Sequence, residues 1–471
     1  MMDSCFEKFR DTVTNAFSDC DDLVCRESGS EGARFALIFI KGITSRDFIS
    51  EMLLRPLLRA DKGNFNGDFG SIIESPSLST PKNGQQAANS MAKGEVLILI
   101  ESSNGFFSTL ANAQMTHGRS IDEPSSDITL KGPKTGFVED SETNMALLRR
   151  YIRTPALKFR RFTVGSVSET KVMLVYVSGR ADEKSIGKIA EEIENMQAEV
   201  ITDSANVAML FSKRSNAVLP SFGSSEKVDK VASKLMSGRI GIIVDGSPFV
   251  LTLPFVFIEG LQASDDYLHT PFYATFIRLL RLVAFIGAIF APAILCAAIN
   301  YNKNLLPAEF YSIITEARKD IPIRFFWEIM TVLLLFEILR EVGVRMPRTV
   351  GDAVGIVGSI ILGNTAVEAG IVSSVGVITV AFSAVCAFIT PAYMYFIVFA
   401  RIIALILTEF FGIFGLVLSA ALLFLTLCFK KSFGVCYLFP LIPFDKKGMQ
   451  DFIFSWPKKT LGRKEKLKKK R

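Results

Sequence analysis

Histidine is nearly absent. Among 471 residues there are only His117 and His269, which excludes chemistry that leans on several imidazoles, the usual groups for proton transfer near neutral pH. Tryptophan is as scarce, at two residues. No P-loop, zincin or nucleophile-elbow pattern occurs, and no G-x-G-x-x-G follows an apolar strand. The acid pairs Glu191–Glu192 and Asp265–Asp266 are adjacent in sequence, so a helix would point them apart. Asp245-Gly246-Ser247 follows an apolar run and reads as a hairpin turn, with no base in view for the serine. The chain is therefore read as not an enzyme, with no cofactor and no metal site. Its seven cysteines are an odd number. Cys5, Cys20 and Cys25 lack zinc-site spacing, and Cys296, Cys386 and Cys428 sit in apolar runs where cysteine acts as a small hydrophobe. A reducing compartment is expected. The opening MMDSCFEKFRDTVTNAF has no apolar h-region, so no signal peptide is expected there.

Apolar surface is abundant instead. The composition is 49% apolar with 40 Phe, and the mean hydropathy is +0.34. Such a chain needs a dry environment beyond an ordinary core, and it is not intrinsically disordered. Lysine and arginine number 53 against 47 acids, a net charge of +6. Lys458–Arg471 holds nine basic residues and one acid, Glu465, so the tail alone carries +8 and the rest −2. No aromatic residue interleaves those lysines. Anionic lipid at a cytoplasmic end fits the tail, and nucleic acid does not.

The first half reads as α/β. Phe35–Lys41, Val96–Glu101, Val172–Val177 and Ile240–Asp245 are short apolar runs of buried-strand type. Helical patterns follow at Asp47–Leu58 and Glu183–Met196. LIFIKGITSRDFISEML from Leu37 matches LVYVSGRADEKSIGKIA from Leu174 in pattern, and GEVLILIE from Gly94 matches GRIGIIVD from Gly238. The expected organisation is a lead over 1–29, an α/β subdomain over 30–118 with a flexible insertion at 60–93, a connector over 119–144, and a related subdomain over 145–250. An all-α polytopic membrane domain over 251–445 and a basic tail over 446–471 complete the chain.

Crossing about 30 Å of hydrocarbon takes about 20 apolar residues. Ile371–Ala400 carries no charge, Ile402–Phe429 carries only Glu409, and Leu282–Asn300 carries none. Ile323–Val342 is apolar at its centre, and its Glu337 and Arg340 are three apart, the spacing of an intramembrane ion pair on one helix face. About four full spans are expected. Ser247–Leu261 and Thr349–Gly370 are two further stretches, and six crossings require both. With the first half inside, the loops obey the positive-inside bias except at Arg401. Thr349–Gly370 is crowded with small residues, among them Gly351, Gly355, Gly358 and Gly363, and holds Asp352 and Glu368. It reads either as a tight packing face or as a broken, re-entrant segment lining a polar path. Acids at membrane depth suit a cation path. The candidate pore or gate residues are therefore Gly351, Asp352, Gly355, Gly358, Gly363, Glu368 and Glu409.

Long stretches of the chain resemble the A subunits of the GerA-type spore germination receptors. They are Glu123–Ile152 (EPSSDITLKGPKTGFVEDSETNMALLRRYI), Gly238–Tyr267, Glu337–Ser373 (EILREVGVRMPRTVGDAVGIVGSIILGNTAVEAGIVS) and Ile389–Tyr393 (ITPAY). The resemblance implies a multi-pass protein of the spore inner membrane with both ends on the core side. It implies a transporter-like B subunit and a lipoprotein C subunit as partners, homo-oligomerisation, and a nutrient-gated channel releasing monovalent cations at the start of germination. A secondary transporter and a pore-less scaffold of the complex are the competing readings.

Overall fold

The computed structural model describes residues 5–30, 33–60, 65–73, 75, 77–115, 132–212, 218–267, 269–302, 304, 306–345, 363–445 and 448–452. The chain divides into two compact units, with the main boundary between Phe255 and Val256.

The first unit holds two five-stranded sheets, antiparallel throughout. One comprises β1 (Leu23–Ser30), β2 (Ala33–Ile40), β3 (Leu78–Ser79), β4 (Glu95–Ser102) and β5 (Gly105–Asn112), in the order β1-β2-β4-β5-β3. The other comprises β6 (Leu157–Val164), β7 (Thr170–Val177), β8 (Gly223–Ser225), β9 (Ile240–Val244) and β10 (Val250–Leu253), in the order β6-β7-β9-β10-β8. The second order is the first with every number raised by five. The helices keep step. α1 (Cys5–Ala16) precedes β1 as α5 (Ser141–Tyr151) precedes β6, and α4 (Gly84–Met91) precedes β4 as α8 (Val228–Met236) precedes β9. After β2 comes a continuous helical stretch, α2 (Arg46–Phe48), a π-turn (Ile49–Leu54) and α3 (Arg55–Arg59); after β7 come α6 (Glu183–Glu194) and α7 (Ser204–Ser212). The two pairings seen in the sequence, Leu37 with Leu174 and Gly94 with Gly238, put β2 against β7 and β4 against β9.

The apolar runs are continuous because both sheet faces are covered. Side chains alternate across a strand. Ala36, Ile38, Leu97 and Leu99 pack with Phe6 and Val13 of α1 and Met91 of α4 on one face. Phe35, Leu37, Ile98 and Ile100 pack with Ile49, Leu53 and Leu57 on the other. Each such Val, Leu, Ile, Phe or Met side chain contributes about 1.5–3 kcal/mol by leaving water. Three expectations change here. The lead at 1–29 contains α1 and the edge strand β1. The stretch 60–93 is no plain loop: Phe65, Phe69 and Ile73 are buried, and Asn83 caps α4 by accepting a hydrogen bond from the Gln86 backbone N–H at 2.8 Å. Ser247–Leu261 holds no α-helix that could cross a membrane but β10 followed by a 3-10 turn, Phe257–Leu261. Pro248 and Pro254 fit such a path and no helix interior.

A fully buried ion pair joins the two sheets. The Arg149 guanidinium on α5 donates to Asp22 at 2.7 and 3.0 Å and to the Thr154 carbonyl at 3.2 Å. It lies over the rings of Phe17 and Phe159. Burial alone would lower its pKa; the Asp22 carboxylate outweighs that and raises it. Beside it the Asp21 backbone N–H donates to the Phe159 carbonyl at 3.0 Å, and Lys158 donates to the Ala16 carbonyl at 2.9 Å.

The second unit is helical: α9 (Pro271–Asn300), α10 (Ala308–Ala317), α11 (Phe325–Arg345), α12 (helical at the described positions 363–368), α13 (Ser374–Phe388), α14 (Met394–Phe411) and α15 (Ile413–Phe429). Among the described residues two helices are long and apolar enough to cross a membrane, Pro271–Asn300 and Pro391–Phe411, the latter counting the 3-10 turn Pro391–Tyr393. α13 and α15 are apolar but shorter, about 22 and 26 Å at 1.5 Å per residue. The expected four full spans are thus not seen as drawn. The uncharged run Ile371–Ala400 breaks at Thr390–Tyr393, where Pro391 has no N–H to offer, and the run Ile402–Phe429 breaks at Gly412, whose φ is +59°. No break falls at Arg401, the only charge between those runs.

Candidate functional site

Besides Asp266, which accepts from Arg278 at 3.3 Å and from Arg281 at 2.7 Å before and along the first turns of α9, the helical unit buries charge in three places among the described residues, each tied to residues from several helices. The first lies midway along the helices. Arg401 on α14 is 2% exposed. It donates to Glu337 on α11 at 2.8 Å and to the Ser383 hydroxyl on α13 at 2.9 Å. Ser383 in turn donates to the Ala288 carbonyl of α9 at 2.7 Å. The other Glu337 oxygen meets Arg340, three residues on along α11, at 2.6 Å. One carboxylate therefore serves two guanidiniums, and the group carries a formal net +1 among apolar helices. Arg401 Nε is buried with no hydrogen-bond partner among the described residues.

The second site is at the start of α13. Glu328 of α11 is fully buried. One of its oxygens accepts from the Ser373 backbone N–H at 2.8 Å and from the Ser373 hydroxyl, while Arg318 donates to the other at 3.2 Å. Ser373 also caps α13 through the Gly376 N–H at 3.0 Å. A Cβ at 376 would overlap the Glu328 carboxylate, so a larger residue there must push that carboxylate out of its place. With Glu328 at the start of α13 and Phe336 against Phe388 at its end, rings 6.1 Å apart, α11 and α13 run in the same direction. Ile329, Leu333 and Val380 fill the seam, with Cys296 of α9 and Leu405 of α14 beside them.

The third site is at the ends of α9 and α14. Glu409 accepts from Asn300 at 3.1 Å and lies 3.8 Å from the Cys296 sulfur; Arg324, itself 80% exposed, is 3.6 Å from its other oxygen. The Tyr301 hydroxyl donates to the Glu409 carbonyl.

Of the sequence-derived candidates, Glu337 and Arg340 are brought together and joined by Arg401. Glu409, for which no partner was foreseen in its own span, finds Asn300 on α9. Glu368 is exposed at the end of α12, and a Cβ at Gly363 would meet no described residue within 4 Å. Gly351, Asp352, Gly355 and Gly358 lie outside the described residues. Sequence reasoning missed Arg318, Ser373, Ser383 and Asn300 as partners. Arg401 left the one usable signal, the lone basic residue in the apolar stretch Ile371–Phe429, and it registered only as an exception to the positive-inside bias.

The chain matches the family model described as Bacillus/Clostridium GerA spore germination protein over residues 11–467. It is 35% identical over 448 residues to spore germination protein KA of Bacillus subtilis (strain 168), covering 93% of this chain and 81% of that one. It is 32% identical to the uncharacterized membrane protein YfkQ of the same organism, covering 96% and 89%, and 28% identical to spore germination protein GerLA of Bacillus cereus, covering 94% and 91%. The crystal structure of the N-terminal domain of the A subunit of the Bacillus megaterium spore germinant receptor GerK3 aligns with 54% of this chain and 96% of that domain, at 23% identity and a TM-score of 0.39.

Proposed function

Since the chain belongs to the GerA spore germination protein family, we propose that it is the A subunit of a nutrient-responsive germination receptor. In this reading it sits in the spore inner membrane, with its sheet-bearing half and basic tail on the core side. It assembles with copies of itself, a transporter-like B subunit and a lipoprotein C subunit, and anionic headgroups meet the tail. The assembly forms or gates a path that releases monovalent cations. Nutrient binding shifts a closed–open equilibrium, which requires a ligand that binds the two states with different affinity.

The observation that carries the reading is the family match along almost the whole chain together with charge buried in apolar helices. A helix bundle that only needed to be stable would gain from apolar residues at these positions. Gly351, Asp352, Gly355, Gly358, Gly363 and Glu368 are proposed to border the path, with Glu409 at the end of α14. The test is potassium release from spores given single nutrients, with and without the gene, and with Glu368→Gln and Glu409→Gln. Release to one nutrient that needs the gene, and whose rate or ion preference changes in the variants at normal protein level, supports the reading. Release that needs the protein but ignores both substitutions removes these acids from the path.

A further inference from the structure

Glu337 is held by two arginines of unlike standing. Arg340 is on the same helix, so their contact survives any movement of α11 as a body. Arg401 is on α14, so theirs does not. Arg401 in turn keeps a second partner, Ser383, whose hydroxyl is tied to α9. If α11 moves away from α14, Glu337 remains paired with Arg340 and Arg401 remains bonded to α13. Glu337 then keeps its counter-charge, while Arg401 keeps a hydrogen bond to Ser383 but no counter-charge. An ordinary buried pair pulled apart would leave two uncompensated charges, which is strongly unfavourable. The seam between α11 and α14 is thus the one across which this charged group separates with a single uncompensated charge, on Arg401, rather than two. α9, α13 and α14 stay linked through Ser383.

We propose that Glu337 is a shared switch carboxylate and that the α11–α14 seam is the joint that parts when the ion path opens; this rests on the channel reading above. Arg340 is then a positioning residue for the open state, and Arg401 for the closed state. The two arginines should have opposite effects, which a merely structural role would not produce.

The experiment uses spores carrying the full receptor, matched for level of this chain, and follows potassium release. Arg340→Gln removes the partner that Glu337 retains on opening, so nutrient-triggered release should slow about fivefold, the low end of typical coupling effects. Arg340→Lys should restore the wild-type rate. Arg401→Gln removes the cross-seam bond, so potassium should leak without nutrient. If the Arg401 variant fails to accumulate, Arg340→Gln decides alone, because that side chain is one-fifth exposed. An Arg340→Gln receptor as fast as wild type or faster overturns the joint while leaving the channel reading standing. Undiminished release to every nutrient in spores lacking the whole gene overturns the channel reading and the joint with it.

Discussion

Arg149→Met tests how the two sheets are held together. The perturbation leaves a side chain of similar length but no charge, opposite an Asp22 carboxylate that is 1% exposed. In the wild type that carboxylate accepts both guanidinium bonds, at 2.7 and 3.0 Å. Removing one member of a buried pair costs about 3–5 kcal/mol, because the other stays buried and unpaired. Each kcal/mol moves the midpoint of a unit of this size by about 2–4 °C, so the expected fall is roughly 6–20 °C. The assay is a temperature series of limited proteolysis on the full-length chain in native membranes, reading cleavage of the sheet-bearing half. Adding Asp22→Asn removes the stranded charge, so the double variant should fall short of the sum of the two singles by more than about 1 kcal/mol. A single variant within 1 °C of wild type, or a double variant equal to the sum, would refute the argument that this pair bonds the seam.

Two further outcomes are expected. Burial alone would raise the pKa of Asp203, but hydrogen bonds from the Ser247 hydroxyl and the Ala205 and Ser204 backbone outweigh it and lower the pKa. A carboxyl depressed on folding adds stability above its unfolded pKa, and that stability disappears as pH falls through the folded value. Ser247→Ala should therefore lower the unfolding midpoint at neutral pH and flatten its decline below about pH 4, measured by a pH series of thermal unfolding. Gly376→Ala pushes a methyl into the Glu328 carboxylate, uncapping α13 and stranding a buried charge. It should reduce the amount of chain in spore membranes severalfold by immunoblot, with Gly287→Ala, which has room for a Cβ, as the control at wild-type level.

Four of the six interior strands could be read in the sequence because burial on both faces writes them as unbroken apolar runs; β5 and β10 were not read as strands. β2, β4, β7 and β9 each fall within two residues of the expected stretch at either end. The edge strands could not. β1 carries Arg26 and Glu27, and β6 carries Arg160 and Arg161, as suits strands with one unpaired edge. In the helical half, apolar length was a poor ruler. Charge marked neither break in Ile371–Phe429; Pro391 and Gly412 did, and both were visible in the sequence as helix-ending residues. The charged groups were legible as costly acids, but their partners were not. Ser373, Ser383 and Asn300 are ordinary polar residues whose roles arise from which helices lie side by side, and no local pattern encodes that.

The shared carboxylate also bears on how such a chain is made. Glu337 precedes Arg401 by 64 residues, about 3–13 s at ordinary rates of synthesis. If these helices enter a bilayer as proposed, α11 arrives first with Glu337 and Arg340 already neutralising one another at i,i+3 spacing. α14 follows carrying Arg401, the one basic residue in it, seven residues from its start and eight before Glu409. Its counter-charge is by then in place, presented by a helix that needed no help from α14 to enter. Order of synthesis thus spares the membrane an unpaired acid at the first step, and gives the late arginine a reason to stop at one depth.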